Sequence, residues 1–237
     1  MATTEAAAHV GFREATRSLT SILAPIEKRT LIWLARRLPG WVNSDHLTAL
    51  ALAAMIMGGL SFWMARVTPA GLLLVVLCLA INWFGDSLDG TLARVRNHQR
   101  PRYGFYVDHV VDAVGALFLF GGLGLSGYMS PLVATGLLVA YLLLLVETFL
   151  ATHTLGTFTM SHFMIGPTEL RILLAIGSLV LLVHPMAGLF GREYRLFDVG
   201  GAVGICGMVV TLARAVTTNT RALYRAEPLP DFTYRGE

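Results

Sequence analysis

Six stretches of the chain are almost unbroken in apolar character, separated by short polar or proline- and glycine-bearing connections. They fall at about residues 46–65, 70–92, 105–127, 131–152, 168–184 and 196–217. A helix crossing the hydrocarbon of a bilayer needs about 20 such residues, so all six are long enough, with the fifth at the short end. Pro69, Pro131 and Pro167 stand at or just before the starts of runs, where a missing N–H costs little. Gly127, Gly156 and Gly191 punctuate the connections. The pattern predicts an all-α integral membrane protein with six transmembrane helices.

The region before the first run is patterned differently. Phe12, Leu19, Ile22, Leu23 and Ile26, then Leu31, Leu34 and Leu38, recur at helical spacing. Arg13, Arg17, Lys28, Arg29, Arg36 and Arg37 are interleaved with them, and Pro25 starts a second segment. With Trp33 and Trp41 this is a basic amphipathic juxtamembrane segment suited to the headgroup layer; the competing possibility is a helix packed on the protein's own surface. Residues 1–11 are expected to be disordered. The domain plan is therefore an interfacial segment over 1–41, a six-helix membrane domain over 42–225 and a tail over 226–237.

Composition agrees. Of 237 residues, 55% are hydrophobic and 14% charged, against about a quarter charged in soluble domains, and the mean hydropathy is +0.63. The net charge of +3 comes from 17 arginines and one lysine, Lys28, set against 15 acidic residues. That excess reflects loop orientation and does not point to nucleic acid. Fourteen basic residues lie before the first run, between the second and third, or at and after the end of the sixth; only Arg66, Arg192 and Arg195 lie on the other side. The positive-inside rule places both termini and the second loop in the cytoplasm. Cys78 and Cys206 sit in apolar runs and read as packing residues, not as a disulfide or zinc site.

The chemistry is concentrated where the second and third runs meet. Asp86-Ser-Leu-Asp89-Gly90-Thr-Leu-Ala93-Arg94 is followed, after nine residues, by Gly104-Phe-Tyr-Val-Asp108-His109-Val-Val-Asp112. Spacings of three and four put each aspartate pair on one helix face. An acidic residue at mid-helix costs about 2.5–3.5 kcal/mol on insertion scales, and like charges this close repel. A hard divalent cation, Mg²⁺ or Mn²⁺, answers both problems with all-oxygen ligands. Gly90 and Ala93 leave a bare face for a flat ligand such as a nucleotide. Arg94 offers a planar fork for phosphate oxygens, and Asn82, one turn before Asp86, can orient a carboxylate or cytidine, or satisfy a neighbouring helix.

These residues resemble the CDP-alcohol phosphatidyltransferase family, whose signature is DxxDGxxAR, a loop, then GxxxDxxxD. All eight signature positions are present: Asp86, Asp89, Gly90, Ala93, Arg94, Gly104, Asp108 and Asp112. The loop is one residue longer than the commonest spacing. The resemblance implies transfer of a phospho-alcohol group from a CDP-linked donor, with CDP-diacylglycerol the leading choice, to a hydroxyl acceptor with release of CMP. It also implies a divalent metal held by the aspartates, a CDP pocket, Asp112 as base, a homodimer and a cytoplasmic active site. The segment Trp41-Val-Asn-Ser44-Asp45-His-Leu-Thr48 resembles the family's approach to the first span, with Ser44-Asp45 in place of its usual Pro-Asn. Asp108-His109, Glu147, His153-Thr-Leu-Gly156 and Gly166-Pro-Thr-Glu169 resemble the aminoalcohol phosphotransferase branch, which uses CDP-choline or CDP-ethanolamine with a diacylglycerol-type acceptor.

Glu147, Glu169 and Arg171 are ionisable groups inside or at the ends of spans and are assigned to an acceptor or headgroup pocket. Arg171 needs a partner: Glu169, Glu147 or an anionic substrate group. Glu169, two residues away, points to another side of the helix. His109 lies one residue from Asp108, about 100° off the metal face; it either faces the acceptor and assists Asp112 and Asp108 in catalysis, or packs. A membrane prenyltransferase also binds Mg²⁺-pyrophosphate through aspartates, but the Gly90, Ala93, Arg94 and Gly104 framework disfavours it. A cation transporter would favour an internal repeat and broken helices, and the sequence has neither.

Overall fold

The protein is represented by a computed structural model that describes residues 16–17, 24–155, 157–158, 167–189 and 191–227. Expectations for residues 1–11, for Phe12, Leu19, Ile22 and Leu23, and for most of the C-terminal tail lie outside the described residues.

Seven helices carry the described chain: α1 (Ala24–Arg37), α2 (Ser44–Met64), α3 (Ala70–Val95), α4 (Pro101–Leu125), α5 (Pro131–Leu155), α6 (Pro167–Val180) and α7 (Leu196–Ala226). Local chemistry sets their starts. Asn43 accepts from the His46 backbone N–H at 2.9 Å, while the Asn43 N–H donates to the His46 ring at 3.4 Å. This reciprocal cap satisfies two orphan donors at the head of α2. Pro101 occupies the first turn of α4, where its missing N–H is harmless.

Five helices, α2, α3, α4, α5 and α7, are long and apolar enough to cross a membrane. Among the described residues a sixth is not shown: α6 has only 14 residues and reaches about 21 Å at 1.5 Å per residue. The apolar run continues to Val183, but the helix ends at Val180 and a turn follows at residues 181–183. A hairpin then forms, β3 (Met186–Leu189) antiparallel to β4 (Arg192–Arg195), turning at Gly191 with φ +76°. A two-residue strand at Thr16–Arg17, β1, pairs in parallel with β2 at Thr157–Phe158.

The interior divides in two. Phe62, Leu72, Val75, Leu79, Leu119 and Leu123 form the main cluster, joined by Leu181 and Phe197. A smaller one, Leu31, Ala35, Val42, Leu47, Leu88 and Leu92, sits at the other end and holds α1 against α3. The amphipathic helix thus packs on the protein through one face. Its other side leaves Ile26 and Trp33 exposed, with the Arg37 guanidinium 3.8 Å above the Trp33 ring. Leu73, Leu77, Leu117, Val139, Leu143 and Val203 are also exposed, an apolar exterior suited to lipid.

α2, α3 and α4 meet with almost no clearance. A Cβ on Gly59 would overlap the Phe118 carbonyl, and one on Gly122 would overlap the Gly59 backbone. A Cβ on Gly85 would lie 2.6 Å from the Leu47 carbonyl oxygen. Small residues of this kind let helices approach backbone to backbone in a membrane, and Gly85 brings α3 close against α2 just before Asp86.

Candidate active site

The C-terminal end of α3 and the N-terminal end of α4 open on a cavity of about 1630 Å³. Asp86, Asp89 and Asp108 line it, as do Gly90, Ala93, Arg94 and Gly104. Asp112 lies one turn further along α4, half-buried and within electrostatic reach of Asp86, Asp108, Asp89 and Arg171. A Cβ on Gly90 would meet only the Arg94 guanidinium at 3.5 Å, and one on Gly104 nothing within 4 Å.

The carboxylates are already engaged. Thr48 Oγ1 donates to Asp89 Oδ2 at 2.6 Å, Ser44 Oγ donates to the Asp89 carbonyl at 2.9 Å, and the Gly90 N–H donates to Asp89 Oδ1. Asp86 accepts from Arg171 Nη2. With these side chains turned to protein partners, no three Asp, Glu, His or Cys among the described residues are gathered as a metal-binding group.

Arg171 differs most from expectation. Among the described residues its partner is neither Glu147 nor Glu169: Nη2 bonds Asp86 and Nε donates to Asn82 Oδ1 at 2.7 Å, while Nη1 is buried with no hydrogen-bond partner among them. Asn82 is buried and also donates to the Ala51 carbonyl on α2 at 3.1 Å. It therefore ties α2, α3 and α6 together and does not line the cavity. Arg171 and Glu169 do line it, but Glu147 does not; Glu147 accepts from Asn219 Nδ2 at 2.6 Å, between α5 and α7. The three residues assigned to one acceptor pocket are thus split.

His109 is a packing residue here and not part of the cavity wall. It is 5% exposed, lies 4.1 Å from the Phe105 ring and 4.6 Å from the Phe149 ring, and its Nδ1 is 2.6 Å from the Phe105 carbonyl oxygen. Its Nδ1 is 3.9 Å from Asp108 Oδ2.

Sequence reasoning missed several supports. Arg96 donates to the carbonyls of Leu38 and Pro39, both at 2.9 Å, and of Val42, capping the chain that leaves α1. Arg100 makes hydrogen bonds of 2.7 and 2.6 Å to the two oxygens of Asp45, and this bonding pushes the guanidinium further above its ordinary range. Glu27 on α1 accepts from α3 and α6. The one acidic residue of a basic helix was the available signal for it.

Compared with known families, residues 41–222 match the family model of the CDP-alcohol phosphatidyltransferases. The chain belongs to that family. The CDP-alcohol phosphatidyltransferase match runs from before α2 almost to the end of α7 and leaves out α1. Membership makes the protein a membrane transferase of phospholipid synthesis that acts on a CDP-alcohol and a hydroxyl acceptor. A search of curated proteins returns no match.

Proposed function

We propose that the protein transfers the phosphatidyl group of CDP-diacylglycerol to the hydroxyl of a polar acceptor, releasing CMP, at the cytoplasmic face of the membrane and as a homodimer. The observation that supports this most is the shared wall of Asp86, Asp89, Asp108, Arg94 and the bare Gly90–Ala93 face on one cavity.

The donor set fits Mg²⁺ or Mn²⁺ in chemistry. Three of the motif carboxylates line one cavity, the fourth stands within electrostatic reach, and neither cysteine is among the cavity's lining residues. Asp86, Asp89, Asp108 and Asp112 would hold the ion, Asp86 with its Oδ1 while Oδ2 stays on Arg171. Bound there, the ion supplies neutralisation of pyrophosphate charge.

The chain's own residues account for the remaining roles. Gly90, Ala93 and Gly104 admit the nucleotide to the backbone, and Arg94 holds phosphate oxygens. Asp112 takes the proton of the acceptor hydroxyl. The acceptor oxygen then forms a bond to the β-phosphorus as the bond to the CMP oxygen breaks, and CMP leaves with that electron pair.

The test is to incubate purified protein with Mg²⁺ or Mn²⁺ and CDP-diacylglycerol, CDP-choline or CDP-ethanolamine in turn, following CMP release across candidate alcohols. Release from CDP-diacylglycerol with a small polar alcohol supports the reading. Release only from CDP-choline or CDP-ethanolamine with diacylglycerol replaces it with the aminoalcohol branch, toward which Asp108-His109 and Glu147 point. No release from any donor overturns both.

A further inference from the structure

Glu27 is the only acidic residue of α1, and it lies outside the residues that match the family. One of its oxygens accepts three hydrogen bonds: Trp83 Nε1 at 2.8 Å, Ser87 Oγ at 3.2 Å and Thr168 Oγ1 at 2.7 Å. Trp83 and Ser87 are on α3, and Thr168 is in the first turn of α6. Apolar packing already holds α1 on α3 through Leu31 and Ala35. What Glu27 adds is a polar bridge across to α6, from an acceptor able to make charge-assisted bonds about twice as strong as neutral ones when ionised.

Two of the donors it grips lead to the motif. Ser87 follows Asp86 directly. Thr168 and Arg171 are three apart on α6 and share a face, and Arg171 bonds both Asp86 and Asn82. Pro25, Glu27, Lys28 and Leu31 also line the cavity, so α1 is one of its walls.

We infer that Glu27 is a positioning residue for the CDP-alcohol site: it fixes α6 against α3 and thereby holds Arg171 on Asp86. This rests on the cavity being the donor site. It predicts a role for a helix that the family pattern does not cover, and one exerted through geometry, because Glu27 itself need not touch the donor.

The full-length chain in detergent provides the test, with CDP plus Mg²⁺ as the probe and hydrogen exchange over residues 167–180 as a second readout. Glu27→Ala should weaken CDP binding about tenfold, the loss expected for charged hydrogen bonds, and speed exchange in α6. Glu27→Gln keeps an acceptor and should lose less. Thr168→Val should also weaken binding, and the Glu27→Ala, Thr168→Val double variant should be little worse than Glu27→Ala alone, as two members of one network require. Unchanged CDP affinity in Glu27→Ala overturns the inference, and so does a lowered melting temperature with affinity intact, which marks a merely structural role. If the unaltered protein binds no CDP, the reading of the cavity fails, and α6 exchange alone then decides: faster in Glu27→Ala supports Glu27 as the clamp on α6, and unchanged overturns it.

Discussion

Arg171 on α6 is ion-paired with Asp86 on α3, their side chains only 16% and 22% exposed. A motif aspartate is therefore neutralised by the protein's own cation, across 85 residues of sequence. Removing one member of a buried pair leaves the other charge uncompensated, which costs about 3–5 kcal/mol when burial is complete and less here. Arg171→Ala should lower the melting temperature in detergent. Asp86→Asn in that background should recover part of the loss, while Glu147→Gln should recover none. Recovery by Glu147→Gln alone would put the partner on α5 instead.

The metal reading makes a direct demand. Excess chelator should abolish CMP release, and added Mg²⁺ or Mn²⁺ should restore it, because the proposed ligands are all carboxylate oxygens. Full turnover in chelator would remove the ion from the mechanism.

The aspartates should separate by role. Asp89→Asn and Asp108→Asn, both on the cavity wall, should weaken donor binding. Asp112→Asn should keep more donor affinity and lose turnover by about 10²-fold or more, as removal of a general base does. Thr48→Val, which frees Asp89 Oδ2 from its 2.6 Å hydrogen bond, should raise the KM for the donor while sparing kcat. Near-normal turnover in the Asp112 variant would contradict its assignment as base.

Sidedness is open to labelling. In a background without Cys78 and Cys206, cysteine in place of His98, in the α3–α4 loop, should react from the cytoplasmic side. Cysteine in place of Arg192, in the β3–β4 hairpin, should react from the opposite side. The reverse pattern would contradict both the arginine distribution and a cytoplasmic site.

The long helices were legible because hydropathy integrates over many residues, and the placing of the aspartates at the facing ends of α3 and α4 because their spacing is helical. What depends on a break in hydrogen bonding was not. Nothing in the apolar character of Leu181, Leu182 and Val183 distinguishes a turn from another turn of helix, so α6 read as a span. Side-chain partners chosen by packing between distant helices were equally hidden. Phe149 on α5 completes the aromatic cluster that buries His109, and Asn219 on α7 claims Glu147. Helical-wheel reasoning sees one helix at a time. Ser44 was noticed as a departure from a pattern and Thr48 as part of it, but that they bond Asp89 follows only from α2 lying against Gly85.

The contact between Gly59 and Gly122 has a mechanical meaning. It is a fulcrum. Asp112 lies ten residues from Gly122 on α4, about 15 Å along the axis, so a side chain forced into the crossing that tilted α4 by about 5° would swing Asp112 by about 1 Å. A misplacement of that size can cost about 10²-fold in rate. The two glycines, with no functional group of their own, hold the long arm of a lever whose far end carries the proposed base.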